Sequence, residues 1–461
     1  MKKTITLFFC ALACLCAQAE ETPQRYVGGD ISALPLYEKY NSPYKDVFGN
    51  NISNLISFFI NDCGWNTFRV RIFVNPTKKD HGGTSNPSVC QGLAYVKTLG
   101  KRIKDAGAFF MLDFHYSDTW VDATHIQAPA AWQGASDAEM ATHIANYTKE
   151  VLDTLNAVGA TPDLVQVGNE IMYGLCGIKV HPYQQSGDNW TGYLGLLNAG
   201  CNAVREKCPN AQIIIHTDRP TNIGYNNFYY NKLVNGGVDF DIIGLSYYPF
   251  WHGYLTAAQV ASKKDKNNLV AAINNLNTVF PTKRVHIVEC AYNFQWWPSS
   301  GVNYDTRDAW TCGSDGNNTS VGIAGQYAFV KDLVDALKPL TNVDGINYWF
   351  PEEAGNGDKG SVIPSWQNRG FWNETQSTSG HAINKTATAT AGRTPQDVCA
   401  PYYLGTFVEH QEQGLNQIPF SLQDGQGEAH KLLRNGQLII RVGNREYNAS
   451  GMSLKENGKG I

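Results

Sequence analysis

Residues 109–120 read FFMLDFHYSDTW. The apolar run Phe109–Phe114 is too short for a packing helix and suits a strand buried on both faces. His115, Tyr116, Ser117, Asp118 and Trp120 then crowd polar and aromatic groups at its C-terminal end, which packing alone does not call for. The same pattern recurs along the chain: 26–30 (YVGGD), 67–73 (TFRVRIF), 164–168 (LVQVG), 212–216 (QIIIH), 242–246 (IIGLS), 285–289 (VHIVE) and 345–349 (GINYW). The first run, short and glycine-rich, is the weakest of the set.

Amphipathic stretches lie between these runs. Helical spacing marks 93–106, stopped by Gly107, and 138–158, stopped by Gly159, both glycines suited to a C-cap. Helices are also expected over 192–207, 257–279 and 324–340. Eight strand-like runs alternating with helices predict an α/β fold, a (β/α)8 TIM barrel. An open doubly wound sheet would carry a glycine-rich phosphate turn after its first strand, and GGDIS is not GxGxxG.

Barrel enzymes build their sites at the C-terminal ends of the strands. Those ends here carry Asp30, Arg69 with Arg71, His115, Asn169 with Glu170, His216 with Asp218, Tyr247 with Tyr248, Glu289 and Trp349. One or two polar strand ends are ordinary. Eight in register predict a site.

The 461 residues carry 37 Lys+Arg against 41 Asp+Glu, a net charge of −4, with 43% hydrophobic, 12% aromatic and 17% charged residues. Such a chain buries a large core, and without a basic excess it is not expected to bind nucleic acid. Residues 1–19 read as a cleaved secretory signal: Lys2 and Lys3, an apolar run to Cys16, then Ala17-Gln18-Ala19. The run is too short to span a bilayer, and no later segment is long and apolar enough. The mature protein is therefore expected outside the cytoplasm: extracellular, periplasmic or at the cell surface. Eight cysteines remain after cleavage, with disulfides and buried thiols equally open. Residues 20–385 are read as the barrel domain, and 386–461 as linker and a short β-rich or disordered tail. Within that tail, 437–442 and 445–448 flank Gly443-Asn444 in a hairpin pattern. A monomer is the default expectation.

Glu170 closes the fourth run and Glu289 the seventh, and strands so spaced lie nearly opposite across a barrel mouth. Two carboxylates there can flank a glycosidic bond, one protonating the leaving oxygen while the other attacks the anomeric carbon or activates water. Asn169 is placed to hold a sugar 2-hydroxyl. Glu289, near an arginine and a tyrosine, stays ionised, and its charge keeps Glu170 protonated. Trp120, Trp349 and Tyr248 are candidates to stack on sugar rings; His115, Asp118 and Asp30 offer directional hydrogen bonds. Buried Arg69 and Arg71 need carboxylate partners.

NTFRVRIFVNPT, LDFHYSDTW, PAAW at 129–132, VQVGNEI and IVECAY resemble the family 53 glycoside hydrolases, from about Tyr26 to Ala382. The resemblance implies a (β/α)8 barrel of a retaining clan, acting as an endo-β-1,4-galactanase on galactan and type I arabinogalactan side chains of pectin. It implies Glu170 as acid/base and Glu289 as nucleophile. It further implies that Arg71, His115, Asn169, Tyr247 and Trp349 line the subsite for the galactosyl residue under attack. Retention calls for carboxylates ~5 Å apart.

Two departures stand out. Bacterial members often hold calcium in a loop after strand seven, whereas 293–316 lacks the alternating ligand pattern. Asn303, Asp305 and Asp308 offer oxygens there, but no metal and no cofactor are expected. The family's closing helix follows a Gly-His/Arg-Ala sequence, and here GHAIN at 380–384 leads into KTATATAGRTPQD, a poor helix. Three alternatives are kept. A same-clan enzyme would act on mannan, xylan or β-glucan. A non-catalytic glycan-binding barrel would lack one carboxylate. A metal-dependent hydrolase would use His115, His216 and Asp218.

Overall fold

All eight runs become parallel strands of one closed barrel in the computed structural model: β1 (Tyr26–Asp30), β2 (Thr67–Ile72), β3 (Phe109–Phe114), β4 (Leu164–Val167), β5 (Gln212–Thr217), β6 (Ile242–Tyr247), β7 (Arg284–Cys290) and β8 (Val343–Trp349). Each strand pairs with its neighbours in sequence, and β1 closes on β8. The structure describes residues 24–39, 44–45, 51–252, 255, 268–292, 323–355, 369–373, 381–383, 429–434, 437–442, 445–448 and 453–456. The leader reading, the calcium-loop candidates and most of the 386–461 tail lie outside them.

Among the described residues one main helix follows each of the first seven strands, besides the short Leu34–Lys39 and Pro249–His252: α1 (Leu55–Asn61), α2 (Leu93–Asp105), α3 (Asp137–Asn156), α4 (Trp190–Lys207), α5 (Ile223–Asn235), α6 (Leu269–Val279) and α7 (Ile323–Leu337). Helix α3 starts on a capping box, with Ser136 and Glu139 each satisfying the other's backbone N–H. The helix expected over 257–279 begins at Leu269, and 256–267 fall outside the described residues. Helix α1 was not anticipated, and neither was α5. Its buried positions are Asn226, Tyr229, Tyr230 and Leu233, half of them tyrosine and one polar, so the apolar spacing is faint; Asn222 caps it by accepting from the Tyr225 N–H.

Strand alternation divides the core in two. Met111, Leu164, Ile214, Ile242 and Val288 fill the barrel with Tyr26, while Phe110, Leu112, Val165, Ile215, Ile243 and Ile287 face the helices. The glycines that made β1 look weak have a packing reason. A Cβ on Gly28 would lie 1.6 Å from the Thr67 carbonyl oxygen, so only glycine lets β1 approach β2 there.

In β7 the alternation breaks. Leu245 of β6 pairs with Ile287, but Ser246 pairs with Glu289, leaving Val288 as an extra residue. This bulge puts both Val288 and Glu289 on the barrel side. Continued alternation from Val285 and Ile287 would have turned Glu289 toward the helices.

Within GHAIN, His381–Ile383 form a short strand of a five-stranded sheet, beside Tyr44–Lys45 and Trp372–Asn373, and 384–428 lie outside the described residues. Near the C-terminus, β9 (Ala429–Arg434), β10 (Gln437–Val442), β11 (Arg445–Asn448) and β12 (Ser453–Glu456) form an antiparallel meander containing the anticipated hairpin. Cys90, Cys176, Cys201, Cys208 and Cys290 are thiols rather than disulfides. Among the described residues no helix is long and apolar enough to cross a membrane.

Candidate active site

The C-terminal ends of the strands surround a cleft of about 300 Å³ whose lining includes Arg69, Arg71, His115, Trp120, Asn169, Glu170, Tyr248, Glu289 and Trp349. At its base the Arg69 guanidinium is buried and reaches three carboxylates at 2.8 Å each: Asp30, Asp113 and Glu289. It also donates to Asn169 Oδ1 at 2.8 Å and Gln166 Oε1 at 3.3 Å. One fork thus fixes the ends of β1, β3, β4 and β7 relative to one another. Leaving any of these carboxylates unpaired at such depth would cost several kcal/mol.

Glu289 takes its second hydrogen bond from the Tyr248 hydroxyl, at Oε2 and 2.8 Å. Its pKa is raised, by burial first and by the charges of Asp113 and Asp30, with Arg69 and the Tyr248 hydrogen bond opposing. Among the described residues no cation forms an ion pair with Glu170. Burial and then the charges of Glu289 and Asp218 raise its pKa well above the carboxylate range, with the Ser246 hydrogen bond opposing. With one proton between them, the pair therefore holds it on Glu170.

The backbone that presents Glu170 is unusual. Gly168 has φ 90° and Glu170 φ 48°, placing both in left-handed regions around Asn169. Such a conformation in a non-glycine residue costs on the order of 1 kcal/mol or more and clusters at functional sites. Ser246 Oγ donates to Glu170 Oε1 at 2.6 Å and lies 2.8 Å from His216 Nε2. The Glu170 N–H donates to His216 Nδ1 at 3.3 Å, so the imidazole hydrogen sits on Nε2 and points at Ser246. Burial, then Arg69, hold the His216 pKa well below the usual histidine range, and the ring stays neutral.

Two aromatic rings and one cation form the opposite wall. Trp120 and Trp349 meet edge to face at 6.4 Å, and the Arg71 guanidinium stacks over Trp120 at 4.1 Å. Arg71 is buried and, among the described residues, none of its three guanidine nitrogens has a hydrogen-bond partner; its charge partner is Asp30 at 3.5 Å. A buried cation facing a cleft with unused donors is equipped to bind hydroxyl oxygens.

The family model for glycosyl hydrolase family 53 matches residues 26–387. The chain belongs to that family. An Aspergillus fumigatus protein described as "Probable arabinogalactan endo-beta-1,4-galactanase A" is 30% identical over 376 residues, covering 79% of this chain and 96% of its own. The family 53 catalytic domain of Ignisphaera aggregans superposes with a TM-score of 0.65 at 26% identity, covering 83% of this chain and 98% of that one. A fungal β-1,4-galactanase structure gives 0.61 at 25%, covering 82% and 99%.

Against this family 53 fold the anticipated residues divide. Arg71, His115, Trp120, Asn169, Glu170, Tyr248, Glu289 and Trp349 all meet at the cleft. Asp30 lies beneath it, bound to Arg69 and Ser32. Asn169 does not keep its whole amide for a sugar: Oδ1 is taken by Arg69 and Nδ2 donates to Val121 O at 2.7 Å, leaving one N–H. Two expectations need correcting. Tyr247 is odd-numbered with Ile243 and Leu245, so it faces the helices, fully buried and stacked on Phe329 at 6.2 Å. Asp118 is not among the lining residues; its oxygens accept from the Asn75 N–H at 3.0 Å and the Ala130 N–H at 2.8 Å, tying loops together. His115, His216 and Asp218 do not form a metal-ligand group; the His115 ring instead accepts from the Val121 N–H and contacts Asp113.

Ser246, Asp113 and Gln166 were missed. Asp113 and Gln166 interrupt otherwise apolar strands, a signal that was available. Ser246 had none beyond its alternation with Tyr247.

Proposed function

We propose that this glycosidase cleaves internal β-1,4-galactosidic bonds of galactan and type I arabinogalactan side chains of pectin, with retention, outside the cell. The observation that carries the mechanism is the asymmetry of the two glutamates: Glu289 is anchored by Arg69 and Tyr248, while Glu170, raised by burial and by Glu289, is bonded to Ser246. The galactan assignment rests on the names of the family 53 relatives.

In the first step Glu289 Oε attacks the anomeric carbon while Glu170 delivers its proton to the departing oxygen. Formation of the galactosyl–Glu289 ester removes the negative charge that had raised Glu170. The Glu170 pKa falls, and the carboxylate becomes the base that deprotonates the incoming water. Trp120 and Trp349 offer stacking faces, and Arg71, His115 and Asn169 polar contacts, to the sugar in the cleft.

Reducing-end release from linear β-1,4-galactan, beside mannan, xylan and β-glucan, tests the assignment. Short galacto-oligosaccharides whose reducing ends first appear as the β-anomer by proton NMR are expected. Glu170→Gln should lower kcat on unactivated substrate at least a hundredfold, and Glu289→Ala should abolish turnover. First appearance of the α-anomer would overturn the double displacement; cleavage of another polymer alone would overturn the substrate.

A further inference from the structure

The same cleft carries a second cluster the hydrolytic reading leaves unused: His81, Asp122 and His125, all three among its lining residues. From these residues we infer a binding site for a single divalent transition ion of the zinc type, on the cleft wall beside the glutamates. No metal is expected from sequence alone, because His81 lies on the β2–α2 loop and the other two follow β3, with no recognisable ligand spacing.

Asp122 and His125 are preorganised by a closed turn in which each backbone N–H donates to the other's carbonyl at 3.1 Å. Asp122 Oδ1 accepts from the Thr124 N–H and hydroxyl at 2.7 Å and from the His125 N–H at 3.0 Å, and lies 2.9 Å from His125 Nδ1. Oδ2, which takes no backbone donor of that turn, approaches the same nitrogen to 2.8 Å. An ion replacing the shared proton needs that gap to widen only slightly, since zinc sits ~2.0–2.2 Å from each donor.

His81 supplies the third donor. Its ring lies parallel to that of His125, with centroids 3.8 Å apart. Both its ring nitrogens are shut off from water without a hydrogen-bond partner. One ligand atom from each of the three residues falls within 4.8 Å of the others. Aiming the His81 lone pair at the ion requires turning the ring about χ2, a soft torsion for histidine. Two imidazoles and one carboxylate favour zinc, copper or nickel over calcium or magnesium, and three protein ligands leave a coordination position open toward the cleft.

An ion there shares the cleft with the substrate, so its occupancy should inhibit polysaccharide cleavage competitively; this second part rests on the proposed function. Isothermal titration of ZnCl2 into the full chain in phosphate-free buffer should show one ion per chain. His81→Ala and His125→Ala should each weaken that binding at least tenfold, as loss of a ligand costs no less than loss of its supporting contacts. His181→Ala, which removes a histidine paired with Asp188 away from the cleft lining, should leave it unchanged. Co2+ in place of zinc should give the visible d–d bands of a four-coordinate site, lost in Asp122→Asn. Near-UV circular dichroism checks folding, and His81→Gln and His125→Gln replace any alanine variant that fails it. Absence of stoichiometric zinc binding, or binding that survives both histidine substitutions, would overturn the site. Zinc binding without galactan cleavage at any zinc level would leave the site standing and overturn the proposed substrate instead.

Discussion

At the scale of single residues, the site works by giving two chemically identical side chains different neighbours. Glu289 has a cation and a phenol, whereas Glu170 has a serine backed by a neutral histidine. Ser246 is the adjustable part of this arrangement. Its hydroxyl favours the charged form of Glu170, so Ser246→Ala should raise the Glu170 pKa and move the basic limb of the kcat/KM–pH profile to higher pH. The lost hydrogen bond is worth ~1 kcal/mol, so kcat should fall about tenfold or less. Steady-state rates across pH check both, and an unmoved basic limb would assign Ser246 to packing alone. Arg71 tests the opposite wall. Arg71→Met keeps the contact with Trp120 but removes the unpaired donors, and a charge-assisted bond to sugar is worth ~1.5–3 kcal/mol. A fall in kcat/KM of about 10- to 100-fold is expected, with the unfolding midpoint unchanged or raised, since a buried cation is removed.

At the scale of elements, the sequence exposed the strands well and their facing less well. All eight runs were legible because strands covered on both faces are apolar throughout, and that same uniformity hides which residues look inward. Alternation was enough for Arg69, Arg71, His115 and Tyr248. Applied to the sixth strand it would have excluded Tyr247 and chosen Ser246, but both are polar and either suited a site. Applied to β7 it would have rejected Glu289, because nothing in VHIVEC announces the bulge at Val288. Asp118 misled for another reason: a carboxylate among aromatic residues suits sugar binding and loop capping equally, and only the nearby Asn75 and Ala130 N–H groups decide between them. Strand β1 shows the converse, where apparent weakness is a requirement of closure. Gly28→Ala would drive a methyl group into the Thr67 carbonyl, and the barrel can yield only by parting β1 from β2. Overpacking in a core costs ~1–3 kcal/mol, and a backbone clash belongs at the upper end or beyond it. A urea midpoint lowered accordingly is expected; an unchanged midpoint would mean that this seam is not tightly closed.

At the scale of the whole molecule, buried ionisable groups make stability depend on pH from both sides. On the acid side, burial holds His216 well below the histidine range and takes His252 to about 3. Both stay neutral in the fold while the unfolded chain takes up protons below about pH 6.5, so their contribution is lost as pH falls. Asp113, held low chiefly by Arg69 and His115 against its burial, acts in the same direction at more acidic pH. On the alkaline side, Glu170 and Glu352 are raised well above the carboxylate range, chiefly by burial. The unfolded chain ionises them near pH 4.5 while the fold retains their protons, so stability is fully present below that pH and is lost as pH climbs through the folded values. Glu352 isolates this second effect, because it lies outside the cleft lining. Its Oε1 accepts from the Ala33 N–H at 2.9 Å, and its Oε2 is buried without a partner. Glu352→Gln keeps the acceptor and removes the ionisation. The variant should therefore unfold at nearly the wild-type temperature at pH 4.5 and at a higher temperature than wild type at pH 8. Thermal unfolding of both proteins, followed at the two pH values by near-UV circular dichroism of the tryptophan-rich barrel, reads the difference. A gap that fails to widen between pH 4.5 and 8 would mean that Glu352 ionises in the fold as readily as in the unfolded chain.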